Sequence, residues 1–157
     1  PIEMKKIISI LCFTLFLTSC GYHNTGKAKK IWLAATKASF ERKHAKALLL
    51  LQEATKVDPE FAPAWMSKGR VYAALEQNQK AMECYEEALS IYERQLEKEP
   101  DNIDLIKEQA EVLSLLGDKK GSVRILNRAI KQFPEDETLP VFKKMILKSS
   151  ERETNTN

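Results

Sequence analysis

The sequence has little glycine, proline or histidine: 5, 6 and 2 of its 157 residues, respectively. Ala, Leu, Lys and Glu dominate instead, and β-branched residues are sparse beyond the first 20 positions, which favours helices over strands. The sequence contains no Gly-rich phosphate loop, no nucleophile elbow and no paired metal ligands. We therefore expect a protein that is not an enzyme and that binds neither a cofactor nor a metal.

The chain also lacks a strong excess of one charge, because 25 Lys and Arg stand against 22 Asp and Glu, for a net charge of +3. These charges are interspersed along the chain, which is typical of solvated helix faces. We therefore expect no nucleic-acid partner. The length is suited to a single domain.

Residues 1–19 have the three parts of an export signal. Lys5 and Lys6 follow a plausible start at Met4, the largely apolar stretch 7–17 comes next, and small residues lead to Cys20. The apolar stretch has 11 residues, whereas a membrane-spanning helix needs about 20. We assign residues 1–19 to a signal peptide and give residues 1–3 no role.

Leu17-Thr18-Ser19-Cys20 resembles the lipobox of bacterial lipoproteins. The resemblance implies that Cys20 carries the lipid and becomes the first residue after cleavage, with two or more acyl chains holding the protein firmly at a membrane. A plain cleaved signal and an uncleaved anchor are the alternatives. In this family an Asp after the Cys favours the inner membrane, so Gly21 favours the outer membrane, facing the periplasm. We expect residues 20–27 to form a lipidated tether.

The three cysteines are Cys12, Cys20 and Cys84, and their wide spacing predicts no zinc site. The lipoprotein resemblance implies that Cys12 leaves with the signal and that Cys20 is capped by lipid. Cys84 would then have no partner for an internal disulfide, and we interpret it as a half-buried helix residue.

Beyond the tether, the sequence repeats itself every 34 residues. Ala47 and Ala54 return as Ala81 and Ala88, and Leu51 returns as Tyr85. A period of 34 with these residue types resembles the tetratricopeptide repeat. The resemblance is clearest in the middle unit, which has Trp65, Gly69, Tyr72, Ala81, Tyr85 and Ala88.

The third unit is displaced by seven residues, because Ala88 and Ala129 lie 41 apart. Seven residues are close to two helical turns. The apolar series continues in helical phase from Tyr85 to Leu96. We therefore predict that the second helix of the middle unit is two turns longer than its equivalents.

The resemblance implies an all-α fold: a right-handed α-solenoid of about three helix pairs plus a C-terminal capping helix. We place the repeats at about 28–61, 62–102 and 103–136, the cap at 137–149 and a disordered tail at 150–157. A plain helical bundle is the alternative. We expect Pro59 to occupy the first position of a helix. The cap should bury one side, made of Leu139, Val141, Phe142, Met145 and Ile146.

In this family the first helix of each pair lines a concave surface that mostly binds peptides or helices. The groove register of the family implies Trp32, Phe40 and Met66 as apolar anchors. Arg70 and Lys107 would be partners for carboxylates. The full set of candidate contacts is Lys29, Trp32, Phe40, Met66, Arg70, Lys107 and Glu111. For each residue, packing or solvation is the alternative role.

Members that bind the tails of cytosolic chaperones clamp a terminal carboxylate with Lys, Asn and Arg. The matching positions here hold Trp32, Thr36, Ser67, Asp104 and Glu108. The clamp is therefore absent, and acids replace its cations in the third repeat.

Together these patterns predict a lipid-anchored adaptor of the bacterial envelope that binds a protein or peptide client. The alternative is a permanent subunit of an envelope machine, similar to the pilotins of type IV pili or to components of outer-membrane assembly complexes. An open groove around Trp32, Met66 and Arg70 would favour the adaptor. An apolar patch on the convex side or on the cap would favour the subunit.

Overall fold

The computed structural model describes residues 24–154, with side chains to residue 148. Within this range the chain forms seven α-helices and no strand. They are α1 (Thr25–Phe40), α2 (His44–Val57), α3 (Ala62–Ala74), α4 (Asn78–Lys98), α5 (Ile103–Leu115), α6 (Lys119–Gln132) and α7 (Thr138–Thr154). The predicted signal peptide and residues 20–23, which are half of the expected tether, lie outside the described residues.

The helices pack as successive pairs: α1 with α2, α3 with α4, and α5 with α6. The second helix of each pair also contacts the helix that follows it, and α7 packs on α5 and α6. This order is an α-solenoid of three helix pairs closed by a C-terminal helix, which confirms the predicted fold class. No helix within residues 24–154 combines the length and apolarity needed to cross a bilayer.

The hydrophobic core is divided among three clusters, one for each pair together with the first helix of the next element. In the first cluster, Ala64 and Val71 of α3 pack against Ala47 and Leu51 of α2. In the second, Val112 of α5 packs with residues of α3 and α4. No pair buries its apolar face alone, so each one depends on its neighbour for a complete core.

Small residues bring the two helices of a pair together, as predicted. A Cβ atom added at Gly69 would collide with the ring of Tyr85 and would lie 3.0 Å from the carbonyl oxygen of Ala81. Ala35 and Ala110, which occupy the equivalent positions in the other pairs, are fully buried. The middle pair therefore combines its smallest residue with a larger partner than the other pairs have.

The predicted lengthening of α4 is confirmed, because α4 has 21 residues whereas α2 and α6 have 14 each. Arg94, in the added part, bonds through its guanidinium to the Glu60 carboxylate at 2.8 Å. Gln95 donates to the Glu60 carbonyl at 3.3 Å. The extension is thus fastened to the turn that links the first pair to the second.

Two helix starts differ from the sequence-based expectation, whereas the start of α7 agrees with it. Helix α1 begins at Thr25, inside the expected tether, because the Asn24 side chain accepts a hydrogen bond from the Lys27 amide. Pro59 lies in a turn, and Pro63 instead occupies the first turn of α3. Asp136 caps α7: its carboxylate accepts from the Thr138 hydroxyl and from the amides of Thr138 and Leu139, and these bonds lower its pKa.

The capping helix also differs from expectation at its far end and on one side. It continues to Thr154, so residues 150–154 of the expected tail are helical. Leu139 and Ile146 are buried as predicted, but Val141 is 68% exposed and Met145 is 53% exposed. The physical reason is helical phase: positions 139 and 141 differ by about 200° around the axis and cannot share a face.

Candidate functional site

The first helices of the three pairs, α1, α3 and α5, are joined side by side through their side chains. The indole Nε1 of Trp32 on α1 donates to the Ser67 hydroxyl on α3 at 2.7 Å. Arg70 on α3 forms an ion pair with Glu111 on α5. These two links place the predicted groove residues of different repeats on one continuous surface, which we call the first-helix face.

A pocket of about 280 Å³ opens on this face between α1 and α3. Most of the surface area that lines the pocket is apolar, and Arg70 provides a cation at its edge. Phe40, at the end of α1, is 89% exposed and stands beside it. The lining residues are Thr36, Ser39, Phe40, His44, Ser67, Arg70, Val71 and Ala74. An apolar pocket beside an exposed aromatic ring and a guanidinium can accept an apolar side chain and a neighbouring carboxylate or carbonyl.

Acidic groups occupy the other end of the first-helix face, on α5. The hydroxyl of Tyr92 donates to the Glu108 carboxylate at 3.2 Å. Burial raises the pKa of Glu108, and the nearby negative charge of Glu111 raises it further, while Arg70 acts in the opposite direction. Burial likewise raises the pKa of Tyr92. This end of the face therefore carries negative charge that is only partly offset by cations.

The seven predicted groove residues fall into three groups. Lys29 and Phe40 are exposed. Trp32, Arg70, Lys107 and Glu111 make bonds within the protein: Lys107 pairs with Asp104 at 3.0 Å and donates to Thr138 at 3.3 Å. Met66 is the exception, because it is buried in the core.

The expectation of Met66 as an open anchor disagrees with its position. Only 7% of the residue is exposed, and it packs among Tyr85, Tyr92 and Val112. Helix α5 covers it from the following repeat, a contact that no pattern within α3 reveals. The Trp32 side chain also packs within the protein, since its ring contacts the Phe61 ring edge-on, with the ring centroids 5.8 Å apart. The open part of the face therefore lies around Phe40 and Arg70.

Sequence reasoning missed two pocket residues, Val71 and His44. The helical phase of Val71 could have placed it on the face, but the residue gave no chemical signal. His44, one of two histidines in the sequence, belongs to no motif, yet it lines the pocket at the start of α2. Its Nδ1 is buried without a hydrogen-bond partner, an unusual state for a buried polar atom.

Among residues 24–154, no group of His, Cys, Asp or Glu is arranged to hold a metal ion. Cys84 is buried on α4, and burial raises the pKa of its thiol. A raised pKa lowers the thiolate fraction and hence the reactivity. The surroundings of Cys84 therefore fit a packing role.

The stacked helix pairs and their first-helix face define the class of the protein as a helical-repeat solenoid. Residues 62–95, which span α3 and most of α4, match the model of the tetratricopeptide repeat family. The middle pair is therefore similar to a tetratricopeptide repeat. No curated protein matches the sequence significantly.

Solved tetratricopeptide-repeat domains share the fold of the chain. The TPR domain of Sgt2 from Aspergillus fumigatus is 17% identical, with a TM-score of 0.50, and the match covers 87% of this chain and 89% of that one. The first TPR of Spaghetti (RPAP3), bound to the HSP90 peptide SRMEEVD, is 12% identical with a TM-score of 0.50, covering 80% and 96%. At these identities the likeness describes the fold alone.

Proposed function

We propose that the protein is an adaptor that binds a peptide or helical segment of another protein on its first-helix face. The observation that carries this proposal is the pocket beside Phe40, which joins an 89% exposed aromatic ring to an apolar lining and to Arg70. Exposed aromatic residues and arginines are typical anchors of protein interfaces. The tetratricopeptide-repeat fold supports the proposal, because one solved neighbour holds a peptide.

The chemistry of the face favours a different client from the peptide of that neighbour. SRMEEVD is acidic at its end. Here Asp104 and Glu108 hold the positions that cations occupy in the family's carboxylate clamp, and Glu111 neutralises Arg70. An acidic terminus would meet repulsion at α5. We propose instead an internal segment that inserts an apolar side chain beside Phe40.

Affinity capture with paired variants tests this proposal. Phe40→Ala removes the exposed ring with little cost to stability, because the ring is largely in water. Leu49→Ala is the matched control, since Leu49 is 68% exposed on α2 and does not line the pocket. We expect Phe40→Ala to lose at least one protein that both the wild type and Leu49→Ala retain. Identical capture by all three proteins would contradict the proposal.

We further propose that the adaptor is held at a bacterial envelope membrane through lipid on Cys20, in the outer membrane facing the periplasm. Support comes from the sequence: the basic start, the apolar stretch and the lipobox. Cys20→Ser should release the protein from the membrane fraction of cells. A Cys20→Ser variant that remains fully membrane-bound would contradict lipid anchoring without affecting the adaptor proposal.

A second candidate function, as a permanent subunit of an envelope machine, is favoured by the capping helix. Val141 and Met145 are one helical turn apart and both exposed, beside a pocket of about 460 Å³ that Lys107 and Phe142 also line. Val141→Ser with Met145→Ser would then break a complex that survives purification. Loss of a stable complex in this variant, but not in Phe40→Ala, would favour the subunit over the adaptor.

A further inference from the structure

The outer side of α1, which faces away from the other repeats, has an unusual composition. Its exposed residues include Lys30, Leu33 and Lys37. Spacings of three, four and seven residues place them along one stripe of the helix. Leu33 is 53% exposed between the two lysines. We call this stripe the outer edge.

The repeat period shows what the outer edge would need to contact a further helix. Lys30 and Lys37 correspond to Ala64 and Val71 in the second pair, which are buried against the first pair. In the third pair, Leu105 and Val112 take these positions and pack against the second pair. Apolar residues thus serve helix stacking, whereas the outer edge presents two ammonium groups. Its chemistry suits water or negative charge.

Charge is unevenly distributed among the helix pairs, although the net charge of the whole chain is small. Helix α1 has four lysines and no acidic residue. Residues 24–57, the whole first pair, have eight basic and two acidic side chains, whereas residues 58–118 have six basic and fourteen acidic. The first pair is therefore strongly positive, and it directly follows the apolar, basic segment of residues 1–23.

We propose that the outer edge of α1 docks on an anionic lipid surface. Lysine ammonium groups at a membrane surface are attracted to anionic headgroups, and an exposed leucine between them can enter the headgroup boundary. Lys30 and Lys37 supply the charge and Leu33 supplies the apolar contact. This surface requires neither the client nor the lipid on Cys20, so it goes beyond the proposed function. It would set the direction in which the first-helix face points from the membrane.

Binding to vesicles tests the proposal on the full chain with Cys20→Ser, produced without lipid. Vesicles of phosphatidylcholine alone are compared with equal mixtures of phosphatidylcholine and phosphatidylglycerol, at low and high salt. The variant is Lys30→Gln with Lys37→Gln. The matched control is Lys144→Gln with Lys148→Gln, two exposed lysines one turn apart on α7. Circular dichroism checks that every variant keeps its helices.

We expect binding to rise with phosphatidylglycerol and to fall with salt. Each lysine at the surface should contribute about fivefold to the affinity, so the outer-edge variant should bind the mixed vesicles about 25-fold more weakly. The control should bind nearly as well as the unsubstituted chain. Since all variants retain residues 1–23, insertion of that apolar segment contributes equally to each.

Three results would overturn the proposal: no preference for phosphatidylglycerol, unchanged affinity of the outer-edge variant, or an equal loss in the α7 control. If the outer-edge variant keeps its vesicle affinity but loses an acidic protein in cells, the edge binds protein and the lipid proposal is wrong. Failure here is separable from failure of the adaptor, because Phe40→Ala should bind vesicles normally whether or not it loses a client.

Discussion

The first and the middle helix pairs share one repeat pattern but are built for different tasks. The middle pair, α3 and α4, contributes to two core clusters and connects to both neighbours through Ser67, Arg70 and Arg94. The first pair, α1 and α2, has a neighbour on only one side within the described residues. Phe40, Leu33 and Leu49 of this pair are exposed. Basic side chains outnumber acidic ones in it.

This difference teaches that one repeat pattern can serve as scaffold or as contact surface, depending on what its outer positions carry. In the middle pair, Ala64 and Val71 are apolar and pack against the first pair. In the first pair, the equivalent residues Lys30 and Lys37 are charged and exposed, and they remain available to partners. We therefore expect changes in the middle pair to act mainly on stability, and changes on the surface of the first pair to act mainly on binding.

The largest expected effect comes from filling the close contact in the middle pair. Gly69→Ala should lower the free energy of unfolding by about 2 kcal/mol, because the new methyl group meets the Tyr85 ring and the Ala81 carbonyl. In the other two pairs, the positions of Gly69 and Tyr85 are occupied by an alanine and a leucine. These residues are Ala35 with Leu51 and Ala110 with Leu126, and all four are buried.

Gly69→Ala combined with Tyr85→Leu should therefore recover stability relative to the sum of the single changes, with a coupling of about 1 kcal/mol. Urea unfolding of the four proteins in this cycle measures the coupling. Additive losses would show that the contact of Gly69 with Tyr85 does not limit the packing of the middle pair.

An effect of intermediate size on stability is expected at the turns that join the two helices of each pair. Arg42, Glu76 and Gly117 occupy equivalent positions and all have positive φ, at 56°, 59° and 85°. Left-handed backbone costs a non-glycine residue about 1 kcal/mol. Arg42→Gly and Glu76→Gly should each raise the thermal midpoint, and Gly117→Ala should lower it. A loss of stability in both glycine variants would contradict this account of the turns.

A smaller effect is expected at the link between α3 and α5. Arg70 and Glu111 form an ion pair, but both side chains remain partly exposed. Such pairs contribute about 0.5 kcal/mol. Arg70→Ala with Glu111→Ala should therefore leave the unfolding midpoint nearly unchanged, and it removes one charge of each sign from the first-helix face. A coupling several times larger in a double-mutant cycle would make the pair a major structural element.

The smallest expected effect depends on pH and lies at Glu108. Because the pKa of Glu108 is raised in the folded state, its contribution to stability is greatest below 4.5, where the carboxyl is protonated in both states. That contribution is lost as the pH rises through the raised pKa. Glu108→Gln should consequently stabilise the protein near neutral pH and change little in acid. An equal effect at both pH values would point to a cause other than ionisation.

Much of the fold could be predicted from the sequence, because the repeat period determines which residues recur on buried faces. Ala47, Ala81 and the two-turn extension of α4 all followed from spacing. Two features could not be predicted from the residues themselves. The burial of Met66 depends on α5, which covers it from the next repeat. The left-handed backbone of Arg42 and Glu76 is indicated only by their alignment with Gly117.

The candidate site was predicted less well than the fold. The groove register of the family implied Phe40 and Arg70 as surface residues, and both are exposed. It could not determine which side chains neighbouring repeats would cover or pair. Contact of each of the seven candidates with a client stays a prediction. The geometry favours the pocket beside Phe40 as the place of contact.

The most direct test of the central claim, that the first pair supplies the contact surface and the middle pair the scaffold, is photo-crosslinking in cells. A photoreactive phenylalanine analogue is placed either at Phe40 or at Met82, which is 44% exposed on α4. The account predicts a discrete crosslinked protein from position 40, absent at position 82 and weakened by Arg70→Ala. Equal crosslinking from both positions, or none from position 40, would contradict it.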